Sequence, residues 1–131
     1  MSVDTMGDFL TAIRNALMVS KRTVIVPFSN MRFGVAQVLK EEGYIRDFKK
    51  AVGERNRSFL ELYLKYVGGE SVIHEIKRIS RPGRRHYSGL KGVTPVIGGL
   101  GISILSTNQG IIADKQARKM SVGGEVICHV W

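Results

Sequence analysis

Apolar residues recur at spacings of three and four from Met6 through Phe9, Leu10, Ile13 and Ala16 to Leu17, and this pattern predicts an amphipathic helix. Asp4 stands where a side-chain oxygen can cap its first turn, and Asp8 lies near the positive end of its dipole. Arg14 and Asn15 fall on the opposite, wet side. The β-branched run from Thr23 to Val26, closed by Pro27, predicts a strand that ends there. A second helix follows, with Ser29 or Asn30 as its cap, an apolar face of Val35, Ala36, Val38 and Leu39, and Gly43 where a left-handed C-terminal residue belongs. Tyr44 to Val52 and Ser58 to Val67 read as a hairpin around Gly53-Glu54-Arg55-Asn56. Its second arm alternates Leu60, Leu62, Leu64 and Tyr66 against Glu61, Tyr63 and Lys65.

Gly68-Gly69 then punctuates the chain, and helical periodicity nearly disappears beyond it. Short strands are expected at Val72 to Ile79, Arg85 to Tyr87, Val96 to Ile97, Ile102 to Leu105, Ile111 to Ala113 and Glu125 to Val130. One short helix fits Lys115 to Met120, capped by Asp114. The expected fold class is therefore α+β, built from two small packed lobes: an N-terminal α-β-α-β-β lobe over residues 1–68, and a C-terminal, mostly antiparallel β lobe with one short helix over residues 69–131. Lobes of this size bury too little surface to stand alone, so they should pack together, with Trp131 taking part.

Composition narrows the function. The chain has 131 residues, 44% of them apolar, which supplies enough burial to offset the entropy of ordering and excludes a disordered chain. No apolar run reaches the length of a spanning helix, and Met1-Ser2-Val3-Asp4 places acid where a leader would place Lys or Arg, so the protein is expected to work in the cytoplasm, where it is made. The single cysteine, Cys128, has no partner for an intramolecular disulfide, and His74, His86 and His129 share no ligand spacing with it, which suggests a reducing environment and no metal or other cofactor.

Catalytic templates fit poorly. Ser103, Ser106, Thr107, Glu125 and His129 include the residue types of a nucleophile, a base and an orienting group, but in a β-rich lobe they read as ordinary turn and strand residues. Cys128, between Ile127 and His129, reads as a buried strand thiol. Gly98-Gly99-Leu100-Gly101 resembles a phosphate loop only in part, because Ile104 occupies the third glycine's place and a strand, not a helix, follows; a tight turn fits better. Gly123-Gly124 marks a sharp bend or a close backbone approach before the last strand.

Charge is the more informative signal. The formal net charge is +9, divided as +4 over residues 1–68 and +5 over residues 69–131. Between Lys77 and Lys91 lie six cations, Lys77, Arg78, Arg81, Arg84, Arg85 and Lys91, without an acid, interleaved with His86 and Tyr87. A second cluster, Arg46, Lys49, Lys50, Arg55 and Arg57, surrounds the hairpin tip and is diluted by Asp47 and Glu54. Such surplus charge opposes compaction and is relieved by a polyanion, and guanidinium groups suit phosphates and bases. Nucleic acid is the expected partner. A membrane surface is disfavoured because the cations lie on strands and turns instead of on one amphipathic helix.

The polar segment Ser106-Thr107-Asn108-Gln109-Gly110 follows Gly99-Leu100-Gly101-Ile102 and precedes Ala113-Asp114-Lys115, Ala117-Arg118 and Gly123-Gly124-Glu125-Val126. With Ile13-Arg14-Asn15-Ala16 and Arg81-Pro82-Gly83 upstream, this pattern closely resembles the bacterial small-subunit ribosomal protein eight family over essentially the whole chain. The resemblance implies a non-enzymatic structural constituent of the small ribosomal subunit, in the cytoplasm with an organellar ribosome as the alternative, one that binds the central domain of small-subunit rRNA early and helps organise the platform. It also implies neighbouring ribosomal proteins, five and twelve, as partners, and no small-molecule substrate. By motif position, Ser106, Thr107 and Asn108 would reach the RNA, with Tyr87 and Glu125 nearby and Arg14 and Asn15 touching a neighbouring segment, while the cations around the loop, Arg84 and Arg85 among them, would position the backbone without reading sequence. Asn108, Ala113, His129 and the Asp4-Thr5 start depart from the usual serine, threonine, tyrosine and aspartate-proline. The rival readings are an unspecialised RNA chaperone or messenger-binding module, and an enzyme acting on RNA.

Overall fold

The structure, a computed structural model, describes residues 5–81, 83–85, 87–88 and 101–131. The expected Asp4 cap, His86, the strand at Val96 to Ile97 and the glycine turn at Gly98 to Leu100 lie outside these residues. Helix α1 (Thr5–Met18) buries Met6, Phe9, Leu10, Ile13 and Ala16, the stripe its periodicity predicts. Strand β1 (Thr23–Pro27) leads to α2 (Asn30–Glu41), where the Ser29 hydroxyl accepts from the Arg32 amide at 3.1 Å. That helix closes as a Schellman motif. Gly43 sits at φ +80°, its amide donates to the Lys40 carbonyl, and the Tyr44 amide donates to the Leu39 carbonyl.

Strands β2 (Ile45–Val52) and β3 (Ser58–Leu64) form the expected hairpin, and the sheet order β1-β3-β2 leaves β1, which ends in Pro27, at an edge. The second arm stops three residues early. Tyr66–Val67 is a separate strand, β4, which turns through Gly68 (φ +61°) and Gly69 (φ +82°) to pair with β5 (Glu70–Ser71). The long strand expected at Val72 to Ile79 is only β6 (Ile76–Arg78). Its first residues are diverted because the amides of His74 and Glu75 both donate to the Trp131 carbonyl, at 2.7 and 2.9 Å, which ties the chain's last residue to this segment.

The second sheet is built around β10 (Gly124–Val130). Strand β8 (Ile102–Thr107) pairs along one edge, β7 (Tyr87–Ser88) and β6 share the other, and β9 (Gly110–Ala113) lies outside β8. Ile127 is extra in the β10 register, between Val126 opposite Leu105 and Cys128 opposite Ile104. Helix α3 begins at Asp114 itself (Asp114–Met120), so Asp114 is not its cap. Its buried carboxylate turns back to accept from the Ser103 amide at 3.3 Å and from Arg118 at 3.2 Å. Burial pushes the Cys128 thiol up to about 12, so it is an inert core group.

Apolar packing joins the two sheets. One buried cluster runs from α1, β1, α2 and β3 into Ile73, Ile76, Ile102, Ile104, Cys128 and Val130. Helix α2 approaches β9 closely at Gly34, where an added Cβ would lie 2.7 Å from Ile111 Cγ1 and 2.8 Å from its Cβ. Alanine normally favours a helix over glycine by about 1 kcal/mol. Here the contact involves the branched root of a side chain on the facing strand and outweighs that gain. Gly34→Ala is therefore expected to destabilise the fold by about 1–2 kcal/mol in denaturant unfolding, by prising α2 from β9.

Candidate nucleic-acid interface

Three side chains of the expected site are brought into one row by strand pairing. Glu125 on β10 lies opposite Ser106 on β8 and opposite Tyr87 on β7, and directly opposed residues in antiparallel strands share a face. Their separations in the chain are long, yet the ladder fixes them side by side. Tyr87 is 72% exposed, a ring with an open face at the rim of the sheet. Gly124 makes the row possible: a Cβ there would lie 2.2 Å from the Ser106 carbonyl oxygen, so only glycine lets β10 and β8 come this close. This is the close approach that Gly123-Gly124 suggested.

The β8–β9 hairpin continues the row outward. Thr107 pairs with Gly110, and Asn108 and Gln109 form the turn, both exposed, while Gly110 takes the left-handed conformation at φ +104°. The Thr107 hydroxyl donates to the Gly110 carbonyl at 2.9 Å and accepts from the Gln109 amide at 3.0 Å. Its one proton is thus committed inside the loop. A remaining lone pair leaves Thr107 able to accept from a 2′-hydroxyl or a base amino group, whereas the Asn108 amide, exposed at the tip, can both donate and accept.

Glu125 has internal partners. One carboxylate oxygen accepts from the hydroxyl of Ser80, which is 3% exposed, at 2.8 Å and from Arg85 at 2.9 Å. Its side chain is 19% exposed against 48% for that of Arg85. Arg78 bonds the Ser80 carbonyl. Burial, helped by Arg81 and Arg85, lowers the pKa of Arg78, and Glu125 opposes the shift, so these four charges share one neighbourhood. Arg84 is exposed on a tight turn closed by reciprocal backbone bonds with Arg81.

The remaining expected residues sit elsewhere. Asn15 is exposed on α1, but Arg14 lies only partly on the wet side. It reaches across to donate to the Ile76 carbonyl and lies 3.5 Å from the Glu75 carboxylate, with 43% of its side chain exposed. It borders a cleft of about 350 Å³ between α1 and β6, together with Asp8, Thr11, Lys77, Arg78 and Arg81. At the first hairpin, Lys49 pairs with Glu61 at 3.3 Å and Lys50 lies 4.3 Å from the Phe28 ring, so part of that cluster is used internally. Ala113 is buried in the core. His129 is half-buried in β10, where burial and the neighbouring Lys77 lower its pKa and Asp114 opposes the shift, consistent with packing. Sequence reasoning missed Ser80 as part of the site, since a lone serine before Arg81-Pro82 reads as a turn residue, and it met Arg78 only as one of the acid-free run of cations. Only the packing reveals the serine.

A family model described as ribosomal protein S8 matches residues 4–131. Among curated relatives, small ribosomal subunit protein uS8 of Maricaulis maris is 55% identical, over 97% of this chain and 96% of the relative. The proteins of the same name from Halothermothrix orenii and Ruegeria are each 50% identical, over 98% of this chain and 97% and 98% of the relatives.

Proposed function

For a chain that belongs to the ribosomal protein S8 family, we propose that the row Ser106–Glu125–Tyr87 and the adjoining Thr107–Gly110 loop bind the central domain of small-subunit rRNA directly and help organise the platform during assembly. Members of the family are structural, non-enzymatic constituents of the small ribosomal subunit, so the chain works in the ribosome of the cytoplasm. The RNA-binding lobe is residues 69–131, with Arg84 and Arg85 beside the row and Arg14 and Asn15 meeting a second RNA segment. Ribosomal proteins five and twelve are the neighbours that the resemblance implies.

The observation that carries this reading is the assembly of an exposed ring, a turn of hydroxyl and amide groups and a cation cluster on one sheet edge. Structured RNA presents 2′-hydroxyls, a shallow minor groove and unstacked bases, which short polar side chains and an aromatic face can read. Phosphates are met by exposed cations around the row, Arg81 and Arg84 among them, without regard to sequence. The test is titration with a central-domain rRNA fragment and with unrelated structured RNA across a salt range. With roughly five cations on phosphates, log affinity should fall against log salt with a slope of about −3.5 to −4.5 for both. The fragment alone should keep a large advantage at high salt. Equal affinity for the two RNAs would sink the reading and favour an unspecialised RNA-binding module.

A further inference from the structure

Glu125 is an acid in the middle of a surface that attracts a polyanion, and it is held there from two sides. The buried Ser80 hydroxyl and Arg85 converge on the same carboxylate oxygen, at 2.8 and 2.9 Å. Ser80 itself is anchored, since its carbonyl accepts from Arg78 and the flanking Ile79 amide donates to the Ile127 carbonyl on β10. A carboxylate tied this way cannot swing aside when a phosphate approaches. Arg81 and Arg85 lie close enough to Arg78 to reinforce the lowering of its pKa by burial, and Glu125 opposes that shift.

We propose that Glu125 is a specificity-determining positioning residue: fixed by Ser80, it cancels the charge of Arg85 at the centre of the row and so withholds the row from the phosphates of arbitrary RNA. This rests on the RNA-binding reading above. A free arginine would be satisfied by any phosphate and would strengthen all RNA binding alike. Paired with Glu125, Arg85 keeps guanidinium protons for a shaped acceptor but contributes little to general attraction. The open groups of the row, the Tyr87 ring and the Ser106 and Asn108 side chains, then face an RNA whose approach is judged by bases and riboses.

Glu125→Gln keeps the shape and an acceptor for Ser80 while removing the charge. Unrelated structured RNA is expected to bind it about five- to eightfold more tightly at 0.1 M salt, with a salt slope steeper by about 0.7 to 0.9, the effect of one further phosphate contact. The rRNA fragment should gain less, so the preference narrows. In the double variant Glu125→Gln with Arg85→Gln the pair again contributes no net charge, and affinity for unrelated RNA should return to that of the parent chain. Should Glu125→Gln alone fail to fold, the double variant still decides. It should keep the parent's slope, whereas Arg81→Gln should flatten it by about 0.7 to 0.9.

Unchanged affinity for unrelated RNA in Glu125→Gln, equal weakening of both RNAs, or a flattened slope in the double variant would each overturn the proposal and leave Glu125 a purely structural ion-pair partner. A parent chain that prefers neither RNA would instead remove the RNA-binding reading itself, independently of any variant.

Discussion

Replacing Gly124 by alanine is expected to lower stability by about 3 kcal/mol and to abolish the preference for the rRNA fragment, because the added carbon has nowhere to go. Its position is 2.2 Å from the Ser106 carbonyl oxygen and 3.0 Å from both the Ser106 carbonyl carbon and Thr107 Cγ2. The first two are backbone atoms of β8, a strand paired on both sides, by β10 and by β9. Moving β8 away would break one ladder, and moving β10 would pull Glu125 from Ser106 and Tyr87 from the row. Gly124 has an ordinary negative φ, so the demand for glycine is steric and not conformational. Gly83→Ala, with no described atom within 4 Å of the added carbon, should change stability by no more than about 0.5 kcal/mol. Chemical denaturation of the two variants checks the contrast.

What was legible in the sequence follows from how local each determinant is. Helix α1, the Ser29 cap, the Gly43 C-terminus and the β2–β3 hairpin are written in residues a few positions apart, and each forms as the pattern predicts. Errors gather where distant segments decide the outcome. Val72 to Glu75 has strand composition, but the amides of His74 and Glu75 are claimed by the last residue of the chain, and those of Val72 and Ile73 by the Lys65 carbonyl and the Ser71 hydroxyl. Asp114 has the spacing of a cap, but the Ser103 amide, eleven residues back, draws its carboxylate inward. Arg14 looks solvated on a helical wheel and is drawn to a carbonyl 62 residues away.

The candidate site divides along the same line. Its residue types were legible because a polar loop between apolar strands and an acid-free run of cations stand out locally. Their arrangement came only with the family resemblance, which put Tyr87 and Glu125 near the loop, since Tyr87, Ser106 and Glu125 meet through strand order, and Ser80 enters only through packing. Charge therefore accounts for attraction to RNA, and the ladder accounts for where the uncharged groups are presented.

Thr107→Ala is expected to cost the preference for the rRNA fragment about tenfold to a hundredfold while leaving the salt slope unchanged, since no cation is touched. The hydroxyl makes two bonds inside the loop, to the Gly110 carbonyl and from the Gln109 amide, and a neutral hydrogen bond contributes about 0.5–1.5 kcal/mol. Losing both releases the Asn108–Gln109 turn, so Asn108 must be ordered again at the moment of binding. Thr107→Ser keeps the hydroxyl and should retain most of the preference, and Thr107→Val, which keeps the shape alone, should behave like alanine. If valine instead matched serine, the methyl packing of Thr107 beside Gly124 and not its hydroxyl would be what presents the loop. Titration of the three variants against both RNAs at two salt concentrations separates those outcomes, because only loss of loop order changes the ratio of the two affinities without changing how either depends on salt.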